Sequence, residues 1–241
     1  MKIQALRWTV TGFILISSHL FVPGILGADP LTDLQARLAS LQNDQATRIK
    51  VDVELRHKGA APLHRSGLKR RGQATVAYGP EGVKMIDQRW LDTSHRFSAW
   101  QKSKVETETT LLDFEEAAAL VNPVETLQIL LSDATLLSEE TGLWQGRPAR
   151  YLVIRPGLLA ADRPLTLEVG IWLDETGLPL AMERSMKLGL ALLNATSHQT
   201  VTFQQVDGRL LVDEARDTYS GTALAVLRGM DTKKVKVTSV R

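Results

Sequence analysis

The sequence predicts a fold of the α+β class that is mainly antiparallel β: an unclosed, curved β-barrel (a half-barrel) with a helical lid on its concave face. Two observations predict it. Segments with a period of two follow one another and are separated by short turns that contain Gly or Pro. Helical periodicity is confined to one segment near the start and one in the middle, which is too little to cover both faces of a sheet, so the helices are expected on one face only.

The composition is that of a globular protein with one domain over residues 29–241. The chain has 241 residues, of which 44% are hydrophobic and 23% charged, and this length allows a sizeable core. No repeat or low-complexity linker divides it. Because the chain contains no cysteine, disulfides, thiol catalysis, cysteine metal sites and a lipid-modified N-terminal cysteine are excluded.

The first 28 residues have the layout of a secretory signal peptide, which predicts a periplasmic location. Lys2 and Arg7 form a positive region, an apolar segment over residues 10–22 follows, and Gly27 and Ala28 are small residues suited to cleavage. An uncleaved anchor is disfavoured, since the apolar run is short and interrupted by polar residues. Of the 29 Lys and Arg residues, 27 remain after cleavage, against 27 acidic ones; this balance argues against nucleic acid as a partner.

A short helix and a half-buried strand are predicted next. The helix rests on leucines that recur at spacings of three and four: Leu31, Leu34, Leu38 and Leu41. We expect Thr32 or Asp33 to cap its start. Segment 48–56 alternates charged and apolar residues, as a strand with one wet face does. Its apolar set is Ile49, Val51, Val53 and Leu55.

Hairpins account for most of the remaining chain. Turns are predicted at 79–82, 174–177 and 207–208, each between segments with a period of two. Further strands are expected at 97–105, within "GLWQGRPARYLVIRP", and in the closing "KKVKVTSV". Lysines in that last strand, Lys234 and Lys236, are typical of a sheet edge.

The middle segment "TETTLLDFEEAAALVNPVETLQILLSDATLL" is predicted to form two helices, interrupted at Asn122-Pro123. Both are apolar over much of their surface. Two interpretations stay open: the pair is ordinary core, or it is a lid that exchanges contacts with a ligand.

The hairpin around 174–177 carries flexible apolar side chains on one face, including Met182 and Met186, and methionine adapts to ligands of irregular shape. Arg184 has the same parity as this apolar set. A charge on such a face is costly unless it is paired, lies at a rim or reaches the polar end of a ligand. The sequence leaves these three alternatives open.

Catalytic and metal-binding patterns are not found in the sequence. The histidines after the signal peptide, His57, His64, His95 and His198, lack the spacing of zinc ligands. There is no nucleophile elbow and no phosphate-binding loop. We therefore predict no catalytic residue, metal or cofactor, although a hydrolase with two carboxylates distant in sequence stays open. Residues 56–71 are interpreted as a basic loop, either solvated or in contact with the head groups of a membrane.

The order of elements resembles the LolA/LolB-like superfamily of periplasmic lipoprotein carriers. The resemblance spans about Leu31 to Val240 and lies in "LTDLQARLASLQND", "TRIKVDVEL", "GQATVAYGPEGVKMID", "NPVETLQILLSD", "WQGRPARYLVI" and "IWLDETGLPLAME". It implies a half-barrel whose apolar concavity holds the acyl chains of a lipoprotein or lipid beneath a helical lid. The carrier family also uses an arginine in the cavity to hold the lid closed, and Arg184 is a candidate on grounds of parity.

The resemblance implies a set of lipid-binding residues. Those expected to line the cavity are Ile49, Val51, Val53, Leu55, Val76, Leu111, Leu112, Phe114, Val169, Ile171, Leu173, Met182, Arg184, Met186, Leu188 and Leu190. The expected partner is an acylated lipoprotein or lipid, with a possible envelope membrane protein. The alternative function is an interaction or stress-sensing module of the envelope, in which the same half-barrel is filled by its own side chains.

Overall fold

The structure is a computed structural model that describes residues 29–41, 46–61, 64–96, 111–157, 165–190, 193–223 and 227–241. The predicted signal peptide and the strand predicted at 97–105 lie outside these ranges. Among the described helices, none has the length and apolar character needed to cross a membrane.

The described residues form three helices and ten strands. The helices are α1 (Pro30–Ala39), α2 (Phe114–Val121) and α3 (Pro123–Leu131). The strands are β1 (Thr47–Ala61), β2 (His64–Gly79), β3 (Gly82–Arg96), β4 (Thr135–Trp144), β5 (Arg147–Arg155), β6 (Leu165–Leu173), β7 (Pro179–Leu190), β8 (Leu193–Val206), β9 (Arg209–Ala223) and β10 (Leu227–Val240). The turns predicted at 79–82, 174–177 and 207–208 are confirmed by these bounds.

All ten strands belong to one antiparallel sheet in the order β3-β2-β1-β10-β9-β8-β7-β6-β5-β4. Neighbours are consecutive in the chain except β1 and β10, so hairpins build almost the whole sheet. The edges are β3 and β4, and the chain between them carries α2 and α3. The connection from one edge to the other therefore brings two helices onto the sheet. The predicted fold class, mainly antiparallel β with an unclosed, curved sheet and helices, is confirmed.

The core shows that the helices occupy one curved face. Val76 on β2 and Ile154 on β5 are seven strands apart, which in a flat sheet is about 34 Å. Both belong to the same hydrophobic core, together with leucines from all three helices. On β1 the apolar set Ile49, Val51 and Val53 is buried in that core, while the charged residues between them are exposed or half-buried. The predicted alternation of β1 is thus confirmed.

The caps of the helices differ in part from the expectation. Asp29, not Thr32 or Asp33, caps α1: its Oδ1 accepts a hydrogen bond from the N–H of Leu31 at 3.4 Å. Pro30 at the first helical position explains the earlier start, because its fixed φ suits the helix and it has no N–H to satisfy. The predicted break between α2 and α3 is confirmed, with Asn122 capping α3.

The prediction of a basic loop over residues 56–71 is wrong, because β1 continues to Ala61 and β2 begins at His64. Register explains why, since Gly59 pairs with Ser66 on one side and with Gly229 of β10 on the other. A strand bonded on both sides keeps glycines that would weaken an isolated strand.

Two further expectations are wrong. Residues 135–137, assigned to the helical segment, begin strand β4. Lys234 and Lys236 do not lie on a sheet edge, because β10 pairs with both β1 and β9. Lys234 instead forms an ion pair of 2.8 Å with Glu214 of β9.

Candidate functional site

The concave face can be described as rows of residues that stand opposite one another across the strands. The proximal row is apolar on every strand from β2 to β5: Gly72, Val53, Val235, Ala215, Val201, Met182, Ile171 and Leu152. Most of these side chains are buried in the core with the helices. This half of the concave face is filled by the protein's own side chains.

Three contacts fix the start of α2 on the sheet. Leu111 packs so closely over β2 that a Cβ at Gly72 would lie 2.3 Å from its Cδ2. The N–H of Leu111 donates to Oε1 of Gln88 at 3.0 Å. Glu116 belongs to a capping box with Asp113 and accepts from Nζ of Lys233 on β10. These contacts join the helix to strands on both sides of β1.

Helix α3 takes part in two further hydrogen bonds, one from α1 and one that its cap residue makes with β2. Nε2 of Gln35 donates to the carbonyl oxygen of Leu131 at 3.2 Å. Nδ2 of Asn122 donates to the hydroxyl of Tyr78 on β2 at 3.4 Å. The three helices therefore form one layer over the proximal row, attached to the sheet mainly by packing.

The next row differs sharply in chemistry. This polar row consists of Arg70, Leu55, Lys233, Asp217, Gln199 and Arg184. Arg70 is buried with its guanidinium 3.8 Å from the centroid of the Trp90 ring. Asp217 accepts a hydrogen bond of 3.0 Å from Ser197. Charged and polar groups thus cross the concave face where the helical layer ends.

Arg184 lies on this polar row at the border of two apolar regions. It is half-buried on β7, between Met182 and Met186, and stands opposite Val169 of β6. The register therefore places it on the same face as the apolar set, as its parity predicted. A guanidinium in this position can offer planar hydrogen-bond donors to an acidic or ester oxygen.

The distal rows lie beyond the polar row, at the far end of the strands. On β6 and β7 they present half-buried apolar side chains, namely Leu165, Leu167, Met186 and Leu188. Three neighbours on β8 to β10 are small: Ala195, Gly221 and Gly229. A Cβ built at Gly229 would meet no described atom within 4 Å. The distal rows are thus apolar on β6 and β7, whereas on β8, β9, β10 and β1 the nearer of these rows carries Ser197, Tyr219, Asp231 and His57.

The residues expected to line a lipid cavity fall into three groups. Those buried in the core are Ile49, Val51, Val53, Val76, Leu111, Leu112, Val169, Ile171, Leu173 and Met182. Those half-buried at the polar and distal rows are Leu55, Arg184, Met186 and Leu188. Leu190 stands opposite Leu193 in the sheet, and its side chain lies outside the described part.

Phe114 departs from the expectation that it faces the interior. It is the first residue of α2 and is 68% exposed. The helix directs Ala117, Leu120 and Val121 into the core instead. Spacing alone would place Phe114 with Ala117 and Val121, because residues three and seven positions apart share a face of a helix. Phe114 is nevertheless exposed, at the first residue of α2.

Sequence reasoning missed the residues that seat the helices. The capping box of Asp113 and Glu116 has a recognisable spacing and was readable. Lys233, the partner of Glu116, is 117 positions away, and no local signal connects the two. Gly72 also carried no signal, because its role comes from Leu111 packing against it.

An aromatic cluster on the outer face was also missed. Tyr151 and Trp172 lie with ring centroids 4.4 Å apart, and Trp144 is 5.3 Å from Trp172. Glu183 accepts hydrogen bonds from the Tyr151 hydroxyl at 3.2 Å and from the Trp172 indole at 3.4 Å. Burial, and then the charge of Glu183, raise the pKa of Tyr151 to about 12. The phenol is therefore a hydrogen-bond donor at neutral pH.

No group of three or more His, Cys, Asp or Glu side chains suited to a metal ion occurs among the described residues. His57 lies on the concave face next to the polar row and forms a hydrogen bond with Asp231 of β10.

Comparison with known proteins gave structural likeness without a sequence match. No family model matches the chain, and no curated protein matches it. It is similar to an outer membrane lipoprotein-sorting protein domain from Vibrio parahaemolyticus, with TM-score 0.37, 14% identity and coverage of 88% of this chain and 91% of that one. It is also similar to a DUF1329 family protein from Desulfovibrio piger, with TM-score 0.36, 12% identity and coverage of 89% and 93%.

A third similar structure is lipovitellin, with TM-score 0.37 and 8% identity, where the match covers 81% of this chain and 25% of that one. Since the TM-scores are below 0.5, the fold assignment rests on the strand order and register of the chain itself.

Proposed function

We propose that the chain is a periplasmic binding protein that carries the acyl chains of a lipoprotein or lipid in the concavity of its sheet. The observation that supports this most is the composition of the distal rows. Leu165, Met186 and Leu188 are partly exposed there and lie outside the hydrophobic core. Apolar side chains on a concave, incompletely covered surface are suited to a hydrocarbon ligand.

The energy of such binding comes from the ligand's own apolar surface. Each methylene removed from water contributes about 0.8 kcal/mol, so a single acyl chain along the distal rows gains enough to bind without filling the whole concave face. Arg184 lies at the inner end of these rows and would meet a polar group of the ligand. In this arrangement the polar row separates the bound hydrocarbon from the leucines of the helices.

Deeper entry of the ligand requires movement of the helical layer. Helices α2 and α3 have 8 and 9 residues, and isolated helices of that length are marginal in water. Their stability therefore depends on the proximal row beneath them. A ligand that competes for this row would displace them, and their return would favour release of the ligand.

A second function is supported by the filled half of the concave face. The leucines of α2 and α3 already bury the proximal row, including Val53 and Ile171. A half-barrel that fills itself in this way has no need of a ligand for stability. It would then present its outer face to an envelope protein as an interaction module.

Lipid binding can be tested by native mass spectrometry of the purified protein and by displacement of a fluorescent fatty acid. The informative variant is Leu188→Glu, which puts a charge on the distal rows. Thr166→Glu is the matched control, since Thr166 is exposed and neighbours the same hairpin on the outer face. We expect bound acyl ligand in the wild type, loss of the probe in Leu188→Glu and normal binding in the control.

The opposite result would favour the second function. Ligand-free protein in native mass spectra, together with equal probe signals for the wild type and both variants, would remove the basis for lipid binding. Recovery of one stoichiometric protein partner from periplasm, with no lipid, would then identify the chain as an interaction module.

A further inference from the structure

The outer face carries a compact group of cations near the tip of the β1–β2 hairpin. We define the basic tip as Arg56, Lys58, Lys69 and Arg71. All four point away from the helices, because they alternate along their strands with residues of the concave face, and Arg56 stands opposite Lys69. With about 6.8 Å between successive outward residues of one strand, the group forms a patch roughly 14 Å long.

The basic tip is only partly neutralised within the described residues. Glu54 accepts from Arg56 and from Arg71, the latter at 3.2 Å. Burial is the largest single influence and raises the pKa of Glu54, but the hydrogen bonds and charges of Arg56, Lys69 and Arg71 together outweigh it, so this pKa lies below its ordinary value. One ionised carboxylate thus serves two of the four cations. Arg56 and Lys69 remain a cross-strand pair of like charge, which is destabilising and which an anionic partner would relieve.

The surroundings of the basic tip include one further acid, Asp92 of β3, which stands opposite Arg71, so two carboxylates lie beside the four cations. At the levels of Arg56 and Lys58, the outward residues on β8 to β10 include no Lys, Arg, Asp or Glu: Thr196, His198, Thr218, Ser220, Met230 and Thr232. Met230 is 40% exposed, and Leu91 on β3, next to the partner of Arg71, is 55% exposed. Cations interspersed with exposed apolar side chains are typical of surfaces that lie at a membrane interface.

We propose that the basic tip docks on the anionic phospholipid surface of a membrane. Lysine and arginine bind head-group phosphates electrostatically, and Met230 and Leu91 reach the boundary of the acyl chains. The tip lies at the same end of the strands as the distal rows. Docking therefore brings the open end of the concave face to the bilayer, although the interaction itself needs no ligand in the concavity.

The charge of the chain is balanced overall once the signal peptide is removed, so the attraction depends on where the cations lie and not on their number.

Sedimentation of the mature protein with vesicles of phosphatidylcholine, with and without phosphatidylglycerol, tests the proposal. The basic-tip variant replaces all four cations with glutamine. The matched control removes the same charge from exposed cations of the outer face nearer the other end of the strands: Arg48→Gln, Lys50→Gln, Lys84→Gln and Lys236→Gln. Circular dichroism confirms that both variants are folded, and Lys58→Gln alone gives a milder version.

We expect binding only to the vesicles that contain phosphatidylglycerol, and weaker binding at high salt. Each cation near an anionic surface changes partitioning by about fivefold, so Lys58→Gln should lose about that factor and the basic-tip variant far more, while the control stays close to the wild type. Equal loss in the basic-tip variant and the control, equal binding to both vesicle types, or tighter binding to single-stranded DNA than to the vesicles would overturn the proposal. Each of these outcomes is independent of whether an acyl chain occupies the concave face.

Discussion

Gly72→Ala tests how the helical layer is seated. Gly72 lies on β2 in the proximal row, where a Cβ would be 2.3 Å from Cδ2 of Leu111 and 2.7 Å from the carbonyl oxygen of Arg89. Carbon atoms pack at about 3.5–4.0 Å, so the leucine must move by more than an ångström. Leu111 is only 2% exposed and its N–H is bonded to Gln88. The shift therefore disturbs both the packing and the hydrogen bond.

The expected cost of Gly72→Ala is about 2 kcal/mol of unfolding free energy, in the range found for overpacked cores. Urea denaturation followed by tryptophan fluorescence measures it, and Trp90, which stands opposite Gly72 on β3, is a well-placed reporter. Gly229→Ala is the control, because a Cβ there meets nothing within 4 Å. We expect it to be neutral or stabilising by about 0.5 kcal/mol, through reduced freedom of the unfolded chain.

A double-mutant cycle separates the side-chain clash from the backbone clash. In a Leu111→Ala background the methyl group at position 72 has room, so the additional cost of Gly72→Ala should fall by about 1 kcal/mol or more. The contact with the carbonyl oxygen of Arg89 persists in that background and accounts for any remainder. If Gly72→Ala proves as stable as Gly229→Ala, then Leu111 does not pack over β2 as described.

Three other substitutions test the core, a cap and an outer-face tyrosine. Val53→Asp puts an unpaired charge into the core at a residue that is 2% exposed; urea denaturation should show a loss of about 3 kcal/mol or more, whereas the exposed Lys50→Asp should cost little. Asp113→Ala removes the capping box of α2 and should cost about 1 kcal/mol, with faster amide exchange in α2 but not in α1. The raised pKa of Tyr151 means that the unfolded chain releases this proton first, so stability should fall from about pH 10 to pH 12. Absorbance titration should show one late tyrosine, and Tyr151→Phe should make that fall shallower; an unchanged slope would contradict the role of Glu183.

The strands could be predicted from the sequence wherever alternating apolar residues are flanked by residues typical of turns. On β1 the apolar set from Ile49 to Val53 alternates with charges, and one face of a sheet follows directly. The predicted end of this strand came too early, because Gly59 and the proline after it are residues typical of a loop. Pairing with β10 overrides them, and a strand from the other end of the chain cannot be seen in a local window.

The sequence predicted the apolar residues of the candidate site, but it did not predict where the site begins and ends. Parity placed Arg184 with Val169 and Met182, and the register agrees. Phe114 was misplaced because a mostly apolar helix gives little indication of which side is buried. The contact of Glu116 with Lys233 depends on the register of the whole sheet, which hydrophobic patterns specify only one strand at a time.

The position of the helices follows from the change of chemistry along β10. Its inward residues are Val237, Val235 and then Lys233, so the apolar surface ends at the polar row. If α2 moved one row further, its buried Ala117, Leu120 and Val121 would cover Lys233 and the polar groups beside it, at the cost of desolvating them. If it moved back by one row, Glu116 would lose Lys233. The helices can therefore stabilise only the proximal half, and the apolar side chains that β6 and β7 present in the distal rows are left for something other than the described helices to cover.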